Sequence, residues 1–486
     1  DPDVIRVEDT YYMVSTTMHF MPGCEILQSF DLVHWEHVTY VYETLDHTDA
    51  QQLKSGQNIY GQGMWAASLR YHEGRFYICF VANDTRKTYL YTSEKIDGPW
   101  KKQLIEGFYH DASLLFDEDG RNYIVYGNDE IWITELNEDL TAPKKDGLHR
   151  LLVSDHKNPE LGYEGSHIQK INGYYYIFLV HSLRDRWMRT EACFYSDSLE
   201  GEFTGGDVLC DDRGYCGQGV AQGGIVDTPD GKWYAMLFQD SGAVGRIPIL
   251  LPVTWKDHFP IFGQNGHVPE EIEVHSTRPG YIYQPLVGSD DFCNGLLPRW
   301  QFNHDPDPRY YHLDALQGTY TITTREVCTG LTQAVNTLTQ RMSYPSCAAE
   351  VTVDASALKE GDVAGLCALQ SCYAAVGITK HHGKYEVLML DKKEDGILDM
   401  TEGTVVESHQ MDFRLEADFC NMKDEARCYY RVNKGDWLPI GTVHKLYFKL
   451  DHFTGCRFGL FCYAAEETGG SACFRDFKYY DVDEIS

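Results

Sequence analysis

The sequence predicts an all-β protein, a five-bladed β-propeller followed by a β-sandwich of jelly-roll, concanavalin-like type. Three observations predict it. A strand–turn–strand unit recurs five times in the first half, the second half carries alternating strands without that repeat, and the composition is rich in aromatics and glycine. With 33 Tyr, 22 Phe, 9 Trp and 43 Gly among 486 residues, the chain leans towards sheets with tight turns and towards surfaces on which sugars stack. That length exceeds one ordinary domain, so two are expected, at residues 1–285 and 286–486.

The repeat decides the first domain. Its copies are VEDTYYMVST from Val7, HEGRFYICFV from His72, DEDGRNYIVYG from Asp117, KINGYYYIFLV from Lys170 and PDGKWYAMLF from Pro229. Glu-Gly, Asp-Gly and Asn-Gly between alternating strands are hairpin signals, and the spacing suits one four-stranded blade per copy. The second aromatic of each hairpin gives a common anchor: Tyr12, Tyr77, Tyr123, Tyr176 and Tyr234. Twelve positions before the last four stand Trp65, Asp111, Glu164 and Gln222; eleven before Tyr12 stands Asp1, where the turn reads as one residue shorter. Equivalent positions on the innermost strands face one end of the central channel. Asp1, Trp65, Asp111, Glu164 and Gln222 are therefore expected in a single pocket.

Three convergent carboxylates with an aromatic wall meet the needs of glycosidic hydrolysis. That reaction takes one protonated and one ionised carboxyl across the scissile bond, and a third can tune the acid. Trp65 reads as a sugar platform or as core, and Arg246 as a cation for sugar hydroxyls or a carboxylate. His110 and His167 lack paired ligand spacing, so no metal site is predicted. No cofactor is required by this chemistry. The Gln222 carbonyl on the axis would suit Ca²⁺ with water ligands, or simply a hydrogen bond inside the channel.

Composition excludes other classes. A formal net charge of −31 repels nucleic acid and anionic membranes but not a neutral glycan, and no apolar run is long enough to cross a bilayer. The 15 Cys lack CxxC pairs, which fits reduced core thiols and a cytoplasmic location. The chain begins at Asp1 rather than Met, so upstream residues are expected to be missing and secretion is left open. Oligomeric state is not legible.

These residues resemble glycoside hydrolase family 43, the β-xylosidase and α-L-arabinofuranosidase group, along the whole chain. Asp1-Pro2-Asp3-Val4-Ile5 resembles the opening motif whose first Asp is the general base. HDASLLFDEDG carries Asp111 where the family has its pKa modulator, YEGSH carries Glu164 where it has the general acid, and GRIPILLPVTW carries its active-site arginine as Arg246. AQGGIVDT places Gln222 where many members have a calcium-holding His, and WAAS replaces the commoner WAPS. The second half, with GTYTITT, CAAEVTVDAS and GDVAGLCAL, resembles the C-terminal domain of the family's β-xylosidases. The resemblance implies that a loop of that domain narrows the pocket and favours attack at chain ends. It implies an inverting exo-hydrolase on xylo-oligosaccharides or arabinoxylan-derived substrates, and the expected substrate-binding residues are Trp65, Arg246, Gln222 and His167. The alternatives are an endo-arabinanase, which needs an open groove, and a non-catalytic propeller lectin.

Overall fold

The computed structural model describes residues 1–481, in which every regular element is a strand apart from four short 3₁₀ turns. Five four-stranded antiparallel sheets cover residues 3–42, 64–105, 113–154, 164–209 and 221–262, each with its strands paired in chain order. The first strand of each sheet is innermost: Asp3–Val7, Met64–His72, Ser113–Phe116, Glu164–Ile171 and Ala221–Asp227 contact one another around the axis. This is a five-bladed propeller. Glu73-Gly74 and Asn172-Gly173 take positive φ at both turn positions, the backbone that two-residue hairpins need.

The repeat register has a different cause from the one expected. The anchor tyrosines pair with Ile5, Arg70, Leu115, Gln169 and Val226. The turn after Val7 is as short as those after His72 and Ile171, so blade 1 has no shortened turn. Blades 2 and 4 instead carry a bulge on the inner strand, between Met64 and Ala67 and between Glu164 and His167. A bulge inserts one residue and re-aims the side chain beside it, which is why Asp1 stands one position nearer its anchor than Trp65 and Glu164.

No strand is shared between the first and last blades. Val4, Tyr11 and Met13 of blade 1 pack on Val226, Tyr234 and Met236 of blade 5, and Arg6 forms an ion pair with Asp227. The connection after Phe262 straps this seam: the Thr277 hydroxyl donates to the Asp9 carbonyl (2.6 Å) and the Tyr234 hydroxyl to the Glu273 carbonyl (2.9 Å).

The second domain stacks an eight-stranded sheet on a seven-stranded one, with Phe413, Leu415, Phe458, Leu460 and Phe474 in the shared core. The fifteen cysteines are unpaired, and most are buried. The sandwich docks on blade 1 through main-chain bonds between Met21 and Phe302 (2.7 and 3.0 Å). Beside them the Arg457 guanidinium lies 3.6 Å over the Phe20 ring and donates to the Gln301 side-chain oxygen (2.8 Å).

His19 is sealed in this interface. The Gly61 N–H donates to its Nδ1 (3.2 Å), so Nε2 carries the hydrogen and donates to Asn303 Oδ1 (3.0 Å). Burial drives its pKa down to about 3. The folded state therefore keeps the ring neutral, while the unfolded chain takes up a proton below its ordinary value of about 6.5. Stability from this group is complete above pH 6.5 and is lost as pH falls towards 3. Denaturant melts at pH 7.0 and 4.5 test this: the wild type should lose about 2–3 kcal/mol more between them than His19→Gln, which has no proton to gain.

Candidate active site

All three carboxylates stand where the inner strands begin, at one mouth of the channel. Asp1 is held from two sides. The Thr16 hydroxyl donates to Oδ2 (2.5 Å), and Arg246 Nη1 donates to Oδ1 (2.6 Å). Arg246 is itself fixed by Asp240 (3.2 Å), which also binds Arg189 Nε (3.0 Å). All four charged side chains are buried, so the chain Arg189–Asp240–Arg246–Asp1 has little freedom. Such charge-assisted bonds keep Asp1 oriented with its oxygens as acceptors, as a general base requires.

The opposite wall holds Asp111 and Glu164. Their carboxylate oxygens and a ring nitrogen of His110 all lie within 4.8 Å of one another. His110 Nε2 is 3.4 Å from Glu164 Oε2 and 3.6 Å from Asp111 Oδ2, and Asn128 Nδ2 donates to Glu164 Oε2 (2.8 Å). The charge of Asp111, helped by Glu164, outweighs burial and pushes His110 up to about 9. Burial, joined by the Glu164 charge, holds Asp111 above its ordinary range. Burial also works to raise Glu164, but the hydrogen bond and charge of His110, with Arg189 and Arg246, hold it below. At neutral pH His110 therefore carries a proton beside the two acids.

Backbone geometry aims this pair. Asp111 has φ 47°, and Gly165, in the bulge after Glu164, has φ 66°. The Gly165 N–H donates to Asp111 Oδ2 (3.1 Å), so the two acids are tied through the main chain. Gln222, also left-handed at φ 65°, lays its side chain against Gly165; a Cβ there would stand 2.5 Å from Gln222 Cγ. Only glycine fits.

Trp65 stands edge-on to Phe453 of the sandwich, ring centres 5.2 Å apart, and Phe453 covers the Arg246 guanidinium at 4.1 Å. The loop carrying Phe453 approaches backbone to backbone: a Cβ at Gly245 would be 2.6 Å from the Gly455 nitrogen. Asp1, Trp65, Asp111, Glu164, Gln222 and Arg246 therefore gather around one pocket. His167 is placed deeper on the axis, its Nδ1 3.1 Å from Asp3 Oδ1, and it makes no hydrogen bond to the acid pair.

Sequence reasoning missed Phe453, which lies in the other domain, and His110, which was weighed only as a metal ligand. Asn128, Arg189 and Asp240 were missed as well. They lie near ends of second and third strands, outside the register of inner-strand positions that the anchors define.

Two substitutions test the geometry. Glu164→Gln should lower kcat by about 10²–10⁴-fold while leaving sugar affinity by calorimetry within about threefold. Phe453→Ala should raise KM by about tenfold and lower the unfolding free energy by about 3–5 kcal/mol in a denaturant melt, because the ring is buried between Trp65 and Arg246.

Residues 1–260 match the model of glycosyl hydrolases family 43, and residues 289–480 match the β-xylosidase C-terminal concanavalin A-like domain. A β-xylosidase of Formosa agariphila is 26% identical over 99% of this chain and 87% of its own. A xylosidase/arabinosidase of Humicola insolens is 25% identical over 99% and 95%. Among solved structures, the bifunctional GH43-CE protein of Bacteroides eggerthii superposes with TM-score 0.91 at 42% identity; the match covers 100% of this chain and 62% of that one. With the family model spanning more than half of the chain, the protein belongs to glycoside hydrolase family 43.

Proposed function

We propose that the protein is an inverting exo-glycosidase that releases xylose from the ends of xylo-oligosaccharides and terminal α-L-arabinofuranosyl groups from arabinoxylan fragments. The observation that carries this reading is the asymmetry of the two walls: a carboxylate clamped by Arg246 and Thr16 faces a carboxyl bonded to a proton-bearing cluster. Asp1 takes a proton from water as its oxygen attacks the anomeric carbon. Glu164, having taken a proton from His110, gives it to the leaving oxygen as the glycosidic bond breaks. The His110 proton is the nearest store for Glu164, and Asp111 orients Glu164 through Gly165.

Phe453 favours exo-attack. Buried against Trp65 and Arg246, it packs the sandwich domain over that side of the channel mouth, which an endo-acting enzyme would keep open. The names of the relatives, β-xylosidase and xylosidase/arabinosidase, support the same substrate class. A lectin would need none of the Arg189–Asp240–Arg246 bracing behind Asp1.

Calcium fits the axis poorly. Both Asp3 oxygens are engaged, by His167 on one side and by Arg70 and the Leu69 N–H on the other, and His167 Nδ1 is engaged in turn. Gln222 would supply one oxygen where such an ion takes six to eight. The chain's own residues carry the reaction without it.

A release assay on 4-nitrophenyl β-D-xyloside and α-L-arabinofuranoside, with and without EDTA, tests this function. Turnover of at least one substrate, unchanged by the chelator, is expected. Proton NMR of a fresh β-xyloside digest should show α-xylose first, and initial β-xylose would rule out inversion.

A further inference from the structure

Glu191 is a carboxyl group for which the mechanism above has no use. It lies on the third strand of blade 4, Arg189–Ser196, and is fully buried. Its Oε2 accepts the Gln222 N–H (2.7 Å), while among the described residues Oε1 has no hydrogen-bond partner and no cation pairs with it. An unmet buried carboxyl oxygen is destabilising, and an apolar side chain of the same size would avoid that cost. What an apolar side chain would lose is the acceptor for Gln222.

That acceptor is connected to the chemistry by short contacts. Glu191 faces Val180 across the sheet, and Val180 faces Glu164, so the three form one row of blade 4. Gln222, held in its left-handed conformation, lays its side chain against Gly165. Gly165 follows Glu164 directly and donates its N–H to Asp111. We infer that Glu191 is a positioning residue for the acid half of the site: by accepting the Gln222 N–H it fixes the wedge that seats Gly165, and with it Asp111 and Glu164. Burial holds its own carboxyl far above the carboxylate range, so it acts without adding a charge beside the pair. The inference rests on Glu164 being the acid that protonates the leaving group.

The test uses the full chain with wild type, Glu191→Gln and Glu191→Leu, measuring kcat and KM on xylobiose and on 4-nitrophenyl β-D-xyloside. Xylobiose has a poor leaving group that needs the acid; 4-nitrophenolate needs it far less. Glu191→Leu should lose about 10–100-fold in kcat on xylobiose with KM within about threefold, and under about fivefold on the nitrophenyl substrate. Glu191→Gln, which keeps shape and acceptor, should stay within about threefold of wild type on both. Equal losses on the two substrates would mean a general structural role and overturn the inference, as would a Glu191→Gln enzyme no better than Glu191→Leu. If Glu191→Leu fails to fold, Gln222→Ala must reproduce the leaving-group-dependent loss, and its failure to do so also overturns it. A wild type inactive on both substrates refutes the functional reading itself, whereas an active wild type with an unimpaired Glu191→Leu refutes only the role of Glu191.

Discussion

The ion pair between Asp3 and Arg70 on the propeller axis sets the frame on which everything else depends. Arg70 Nη1 binds Asp3 Oδ2 at 2.8 Å, and the rest of its guanidinium is spent on the carbonyls of Leu69, Leu114 and Ile168 and on the Ser113 hydroxyl. Asp3 in turn binds the Leu69 N–H and His167. One guanidinium thereby ties the inner strands of four blades. Removing one partner of such a pair costs about 3–5 kcal/mol, because the other charge is left buried and uncompensated. Asp1 and Asp111 stand two residues before Asp3 and Ser113, and Glu164 four before Ile168, so the reacting groups inherit their spacing from this knot.

Above the knot, irregular backbone does the aiming. Asp111, Gly165 and Gln222 all take left-handed conformations, and Glu164 and Gln222 lie in bulges. Regular strands would alternate these side chains in and out of the channel. Strain at sites of this kind persists only where surrounding bonds over-determine it. Here those bonds are Gly165 to Asp111 and Gln222 to Glu191. The same packing separates the electrostatics of the two walls. Asp1 is paired with an arginine braced from behind, while Glu164 and Asp111 share a histidine.

The sandwich completes the site rather than accompanying it. Phe453 closes the rim against Trp65 and Arg246, and the same face buries His19 as a neutral ring and Arg457 over Phe20. A polar, largely hydrogen-bonded interface of this kind fixes orientation tightly, which a loop contributing one aromatic ring to a pocket requires. Pocket shape and domain docking are thus one structural problem.

Much of this was legible in the residues alone. Tight-turn dipeptides and period-two alternation are local properties, and they marked the five hairpins, the change of pattern after the fifth blade and the ring of equivalent positions holding Asp1, Trp65, Asp111, Glu164 and Gln222. The one-residue shortfall at Asp1 was visible but misattributed, because a bulge and a shortened turn leave the same count. Only the tertiary structure decided the rest. His167 settled on Asp3, Phe453 came from a distant loop, Glu191 proved to be the acceptor behind Gln222, and the stored proton fell to His110. Each of these depends on desolvation and on contacts between residues far apart in the chain, and spacing along a sequence encodes neither.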